Sequence, residues 1–102
     1  MPAVPVTLSA RATILEVEDI VARLRAGFEL GGDLVVDCSA VEDVDFAFLQ
    51  VLLAARREAE RRGVGVSVRD SAAGVIAAGW RAVGLADGDA ECPAWINNGL
   101  PA

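Results

Sequence analysis

The sequence contains no histidine, no lysine and no tyrosine, and it has only two cysteines. Without histidine, neither a Ser-His-Asp nor a Cys-His catalytic arrangement can be built. Cys38 and Cys92 show no CxxC spacing, so a zinc site is not expected, and no other cofactor is predicted. Glycine-rich phosphate loops of the familiar spacings are also absent. We therefore expect a protein that is not an enzyme.

Long apolar runs are missing as well. A membrane-spanning helix needs about 18 or more consecutive apolar residues, and the sequence offers no such run. The first residues lack a charged start followed by an apolar stretch, so no signal peptide is predicted. We expect a cytoplasmic protein without direct membrane insertion, in which Cys38 is a buried thiol and no disulfide forms.

Positive charge is scarce, and this argues against nucleic acids as partners. Nine arginines stand against 15 aspartates and glutamates, which gives a formal net charge of −6 at pH 7. Phosphate contacts supply most of the affinity for nucleic acids, so an acidic domain is not expected to bind them. The acidity serves solubility, and it also suits a basic surface on a protein partner.

Hydrophobic residues make up 54% of the chain, which is enough for the core of one small domain. We place this domain at residues 1–88 and a C-terminal tail at residues 89–102, with weak periodicity and two prolines. Trp95 in the tail suits either packing over an exposed face of the domain or a contact in a homodimer.

Three segments carry the pattern of β-strands. Residues 4–9 alternate between apolar and polar side chains, and Pro5 favours a position at the edge of a sheet. Residues 33–39 contain a continuous apolar run, which is typical of a strand covered on both faces. Residues 64–70 form the third predicted strand.

A helical pattern follows the first strand. Thr13 and Glu16 match a T-x-x-E capping box, which opens a helix that runs to about residue 28. Apolar residues recur in this helix at i, i+3, i+4 and i+7, so one face is predicted to pack on the core. Residues 9–12 are interpreted as a turn, and residues 40–44 as a short connection.

Two further helices complete the pattern. One spans residues 46–62 and is ended by Gly63, and the other is capped by Asp70 or Ser71 and runs to about residue 83. Trp80 in the last helix is predicted to lie in the core or at its margin, and not at a ligand contact. The order β-α-β-α-β-α predicts an α/β fold with a single small sheet, mixed but largely parallel, and helices packed against it.

Asp45 stands where the helix over residues 46–62 begins, and we predict that it is the N-cap. A carboxylate also suits the positive end of the helix dipole. At 100° per residue, Phe48 shares a core face with Leu52, whereas Phe46 lies on a more polar side together with Gln50. Phe46 is therefore either partly exposed, as a docking point for another protein, or folded back on the preceding loop.

Residues 33–68 resemble the STAS domain, which is shared by anti-sigma factor antagonists and the tails of sulfate transporters. The family pattern is a strand ending in D-L-S, then x-V-x-x-I-D-S-S-G-L, and then an apolar helix. A looser resemblance continues through residues 71–88. The chain matches the family pattern at Asp37, Ser39, Val41, Val44, Asp45 and Leu49.

The departures from the family pattern bear on function. In the antagonists, the second serine of D-S-S-G accepts phosphate from a partner kinase, and the added charge ejects the partner. In this chain that position is Ala47, while Phe46 and Phe48 replace the first serine and the glycine. Alanine has no hydroxyl, so no phosphoester can form there. Ser39 is the nearest remaining hydroxyl, and its family counterpart is structural.

The resemblance thus implies a regulatory protein-binding module without the phosphorylation switch. We expect it to dock a sensor or chemosensory-type histidine kinase, or an anti-sigma-like kinase, in bacterial signalling. The alternative is a STAS subunit that braces the ATPase of an ABC transporter. The expected contact residues lie at the helix start and in the loop before it: Glu42, Asp43, Asp45, Phe46, Ala47 and Gln50.

An enzyme is the third possibility. Its acidic site would gather Asp37, Glu42, Asp43 and Asp45, because converging carboxylates can hold Mg²⁺. Receiver-type phosphotransfer domains also need a lysine, which this chain does not have. A solvated acidic loop is the simpler interpretation, so neither a metal site nor catalytic residues are predicted.

Overall fold

The computed structural model describes residues 3–82 and 95–97 of the chain. No helix within these residues is both long enough and apolar enough to cross a bilayer. In chain order the elements are β1 (Val4–Thr7), β2 (Arg11–Ala12), α1 (Val17–Glu29), β3 (Leu34–Asp37), β4 (Asp43–Val44), α2 (Phe46–Arg62), β5 (Val66–Arg69), α3 (Val75–Ala82) and β6 (Ile96–Asn97).

The main sheet has the strand order β1-β3-β5-β6, and each neighbouring pair is parallel. In this register, Val6 lies beside Val36, and Val36 lies beside Val68. β1 occupies the edge, as Pro5 predicts, because proline has no N–H to donate to a second neighbouring strand. The α/β fold class with a largely parallel sheet and packed helices is confirmed.

The helices lie on one face of the main sheet. Its strands follow one another in chain order, and right-handed crossovers then place successive helices on the same side. Leu34 and Val36 are buried on this side, whereas Val35 and Ser67 point to the opposite face and are only half-buried. The coverage of both faces that the apolar run predicts is therefore incomplete.

A cluster of buried apolar side chains joins the sheet to the three helices. Phe48 and Leu52 are completely buried, in agreement with the core face predicted for α2. Burial of an apolar side chain of this size stabilises the fold by about 1.5–3 kcal/mol. Trp80 in α3 is also buried, which confirms its predicted place in the core.

β6 comes from the segment that the sequence assigns to the tail. Ile96 is buried beside Val68, whose N–H donates to the carbonyl oxygen of Trp95 at 2.7 Å. The Trp95 ring meets Trp80 edge-on, with 5.4 Å between the ring centroids. Trp95 thus packs on the domain, whereas a homodimer stays a prediction. Cys92 and the proposed boundary at residue 88 lie outside the described residues.

α3 begins at Val75, later than a cap at Asp70 or Ser71 predicts, because a turn separates the caps from the helix. Both side chains nevertheless serve its first N–H groups. The buried carboxylate of Asp70 accepts hydrogen bonds from Ile76 at 2.8 Å and from Ala77 at 2.9 Å, and also from Ser71 at 2.7 Å. The Ser71 hydroxyl accepts a fourth bond, from the Val75 N–H at 3.2 Å.

Removal of the buried carboxylate should destabilise the domain. Asp70→Ala leaves three backbone N–H groups without their acceptor, and each buried donor left unsatisfied costs at least about 1 kcal/mol. We expect the free energy of unfolding, measured by urea denaturation, to fall by about 3 kcal/mol. Asp70→Asn keeps one acceptor oxygen and should lose less. The exposed control Glu60→Ala should change by less than about 0.5 kcal/mol, and an equally small loss for Asp70→Ala would contradict this role.

Candidate functional site

A second, two-stranded sheet brings the loop before α2 beside the segment before α1. β2 pairs in parallel with β4, so that Arg11 lies beside Asp43 and Ala12 beside Val44. The sequence predicts a turn and a plain connection for these segments, and both predictions are wrong. Strands of two residues show no readable periodicity, and this pairing joins parts of the chain that are far apart in sequence.

Asp45 joins the starts of the two helices. As the N-cap of α2, its Oδ1 accepts a hydrogen bond from the Phe48 N–H at 3.0 Å, which the sequence predicts. Its Oδ2 accepts a second bond at 2.8 Å from the N–H of Ile14, 31 residues earlier. One carboxylate therefore closes the start of α2 and also holds the turn that leads into α1.

The turn before α1 is held by Thr13 and Glu16. Glu16 Oε1 accepts hydrogen bonds from the Thr13 hydroxyl at 2.7 Å and from the Thr13 N–H at 2.9 Å. The Glu16 N–H donates to the Thr13 carbonyl oxygen instead of the hydroxyl, so the predicted capping box is only half formed. α1 begins after this turn, at Val17, with Glu16 in the N-cap position and no side-chain hydrogen bond as a cap.

The predicted contact residues surround this junction with unequal exposure. Phe46 is 47% exposed, so it is not folded away under the preceding loop. Asp45 and Ala47 are half-buried, and both oxygens of the Asp45 carboxylate are engaged by backbone N–H groups. The exposed members of the set are Glu42, Asp43, Phe46 and Gln50.

Two exposed apolar residues that are not among the predicted contact residues lie at the same junction. Ile14 is 63% exposed and Leu15 is 75% exposed. Both stand in the turn before α1. Leu15 falls outside the apolar periodicity of residues 17–24, and that mismatch is the signal that marks it, whereas Ile14 matches the periodicity and gives no such signal. The backbone of Ile14 is bonded to Asp45, the chain neighbour of Phe46. We call Ile14, Leu15 and Phe46 the apolar corner.

The carboxylates near the corner do not converge on a metal site. Asp37 Oδ1 accepts hydrogen bonds from the hydroxyl of Ser39 at 2.6 Å and from its N–H at 3.0 Å, which lower the pKa of Asp37. Asp45 is occupied in the same way by backbone N–H groups. Among the described residues, no group of three or more histidines, cysteines and acids is placed to hold a metal ion.

Cys38 offers no reactive group at this end of β3. Its side chain is completely buried, as the sequence predicts. Burial, together with the nearby charges of Asp70 and Asp37, raises the pKa of the thiol to about 12. The thiolate is the nucleophilic form of cysteine, so this thiol stays protonated and inert at neutral pH.

Comparison with protein families adds one finding to this geometry. The family model described as "Mlab, STAS domain" matches residues 2–87, which is most of the chain. No curated protein and no solved structure gives a significant match. The matched range contains both helix starts and the apolar corner.

Loss of the Asp45 carboxylate should release both helix starts together. Asp45→Ala is expected to lower the free energy of unfolding by about 1–2 kcal/mol, because it removes an N-cap and a second hydrogen bond. Amide hydrogen exchange, followed by NMR, should accelerate at Ile14 as well as at Phe48. Asp43→Ala, which alters an exposed acid nearby, is the control. Continued protection of the Ile14 amide in Asp45→Ala would show that the carboxylate does not hold the turn.

Glu16 provides a pH-dependent test of the same turn. The Thr13 hydroxyl and then the Thr13 N–H lower the pKa of Glu16 below its ordinary value of 4.5, so its contribution to stability is complete above pH 4.5 and disappears as the pH falls through the lowered pKa. In Thr13→Val, an NMR titration should give a pKa that rises toward 4.5. Thr7→Val, at an exposed threonine of β1, should leave the pKa of Glu16 unchanged. An unaltered pKa in Thr13→Val would rule out the hydroxyl as its main cause.

Proposed function

Because this chain belongs to the STAS domain family, we propose that it is a regulatory protein-binding module similar to an anti-sigma factor antagonist. STAS domains mediate contacts between proteins, either in regulation or in association with transporters. The proposed partner is a sensor or chemosensory-type histidine kinase, or an anti-sigma-like kinase, in the bacterial cytoplasm. The proposed contact surface comprises Glu42, Asp43, Asp45, Phe46, Ala47 and Gln50.

The observation that carries this proposal is the exposure of Phe46 at a rigid helix start. A phenylalanine that is 47% exposed leaves apolar area for a partner to bury. Aromatic side chains are frequent anchors of protein interfaces. Because Asp45 fixes the start of α2, the aromatic ring is presented on an ordered backbone, and binding costs little additional ordering.

The absence of a hydroxyl at Ala47 supports regulation without phosphorylation at this position. Ala47 lies at the start of α2 and is half-buried, so a partner meets a methyl group where the family resemblance places a serine. Ser39 does not offer a substitute in this proposal. Its hydroxyl donates to Asp37, and a phosphate there would stand next to a carboxylate and be repelled. Binding is therefore constitutive or is controlled by the state of the partner.

The proposal assigns no catalysis to the chain. Two of the four carboxylates that a metal-dependent enzyme would use, those of Asp37 and Asp45, are engaged by backbone and hydroxyl donors. Cys38 is inert because its pKa is raised to about 12. Neither a metal nor another cofactor enters the proposed function.

A permanent contact also suits a second candidate function, in which the chain braces the ATPase subunit of an ABC transporter. A corner without a modifiable hydroxyl at Ala47 fits a structural subunit as well as a regulator. The two candidate functions differ in the partner protein that the corner binds. In the second, an ATPase and a permease copurify with the chain, and ATPase activity falls when the chain is removed.

Phe46→Asp should abolish copurification of the native partner. The substitution puts a charge into the proposed contact, while an aspartate in the first turn of α2 suits the helix dipole and leaves the fold intact. Affinity capture from the native cell followed by mass spectrometry measures the loss, and urea denaturation checks the fold. The matched control is Leu30→Asp, at a leucine that is 68% exposed at the other end of α1. Equal recovery of the partner by Phe46→Asp and wild type would reject the proposed surface.

The identity of the captured protein decides between the two functions. A kinase supports the regulatory module, whereas an ATPase together with a permease supports the transporter subunit. Intact mass of the captured chain should show no added phosphate. Catalytic turnover by the purified chain alone would contradict both candidates.

A further inference from the structure

We infer that the apolar corner is the centre of an interface for a basic amphipathic segment of the partner protein. In this interface Ile14 and Leu15 are anchors beside Phe46, and exposed acids form the rim. The inference rests on the proposed function and extends it in two ways. It adds contact residues from the turn before α1, and it specifies the chemistry of the partner.

Exposed apolar side chains are concentrated at the corner. Ile14, Leu15 and Phe46 are 63%, 75% and 47% exposed, and the other large apolar side chain that is exposed within the described residues is Leu30. Apolar side chains that cluster on a surface mark an interaction site, whereas single ones are ordinary. Three of these four side chains lie on the two segments that Asp45 ties together, so they form a candidate interface centre.

The anchors are carried on an ordered turn. The Ile14 N–H is held by Asp45 at 2.8 Å, and the Leu15 N–H donates to the Thr13 hydroxyl at 3.3 Å. Glu16 closes the turn through its two bonds from Thr13. A partner therefore meets apolar side chains on a fixed backbone, which reduces the entropy lost on binding.

The charge of the chain is divided unequally between the corner and the rest of the described residues. Residues 9–19 and 40–50 contain six acids and one arginine, a net charge of −5. The other described residues contain six acids and eight arginines, a net charge of +2. Within the described residues, the negative charge is thus localised around the two helix starts, and positive charge prevails in the other described segments.

The exposed acids at the corner form no ion pair with an arginine of the described residues, although Arg11 lies beside Asp43 in the β2–β4 register. The ion pairs between described residues join Glu58 to Arg61 and to Arg62, at the far end of α2. Four acids at the corner remain exposed and are left for a partner: Glu18, Asp19, Glu42 and Asp43.

An apolar centre with an acidic rim is complementary to an apolar face bordered by lysine or arginine. Opposite charge at the rim steers association, while burial of the central side chains slows dissociation. A second copy of the chain fits less well, because a symmetric contact would place one acidic rim against another. The occupant that the observations favour is therefore a basic amphipathic segment of a different protein.

The test uses the full chain and a synthetic amphipathic helix with leucines on one face and arginines along its margins. Binding is measured by calorimetry, and the contact surface is mapped by NMR shifts. The double variant Ile14→Ser/Leu15→Ser should weaken binding by about tenfold or more. Leu30→Ser, at an equally exposed leucine, should bind as the wild type does. Equal binding by all three proteins would overturn the inference, because attraction would then be independent of the corner.

The rim is tested by charge removal with matched controls. Glu42→Gln/Asp43→Asn should lower the association rate of the peptide several-fold at low salt and change the dissociation rate little, and the difference should shrink at high salt. Glu29→Gln/Glu60→Gln removes two exposed acids away from the corner and should have a smaller effect. Equal effects of the two double variants would overturn the proposed rim.

Three further measurements separate this inference from the proposed function. Urea denaturation confirms that Ile14→Ser/Leu15→Ser is folded, and Leu15→Ala is the milder variant to use if it is not. A native partner that is lost with Phe46→Asp but retained by the folded Ile14→Ser/Leu15→Ser variant would overturn the inference and leave the proposed function standing. Sedimentation that shows a dimer dependent on Leu15 would also overturn it, since a second copy would then cover the corner.

Discussion

One carboxylate fixes the relation between the two helix starts on which the proposed interface depends. Asp45 accepts one hydrogen bond from the first turn of α2 and another from the turn before α1, at 3.0 and 2.8 Å. The backbone segments that carry the exposed side chains are therefore held in a fixed relative position, although they lie 31 residues apart in the sequence. A residue that looks like a simple helix cap thus also determines the shape of a surface.

Aspartate carboxylates also accept hydrogen bonds from nearby groups at the carboxyl ends of the parallel strands β3 and β5. Asp37, the last residue of β3, accepts hydrogen bonds from the hydroxyl and the N–H of Ser39. Asp70, which follows β5, accepts hydrogen bonds from three backbone N–H groups. Backbone donors at these positions lack partners within their own helix or turn, so carboxylates stabilise them. Asp70 is buried and holds the first N–H groups of α3, whereas Asp45 is half-buried at the edge of an accessible corner.

Because Ala47 has no hydroxyl, the negative charge at the corner cannot be changed by phosphorylation at this position. In the antagonists that the sequence resembles, added phosphate supplies negative charge that ejects a partner. In the proposed interface the negative charge is permanent, and it selects a partner of opposite sign. The apolar side chains at the centre then slow dissociation, and the acids at the rim accelerate association. Such a surface suits a contact that is constitutive or is controlled from the partner's side.

The local features of the chain were determined by its sequence alone. Periodicity and Gly63 fixed the bounds of α2, the helical wheel separated buried Phe48 from exposed Phe46, and the position of Asp45 before the helix identified a cap. These features depend on neighbours within one or two turns. The tertiary structure decided the pairing of β2 with β4, the docking of β6, the bond from Ile14 to Asp45 and hence the apolar corner. Each of these joins segments distant in sequence, so no local pattern encodes them, and only the packing of the helices on one sheet brings them together.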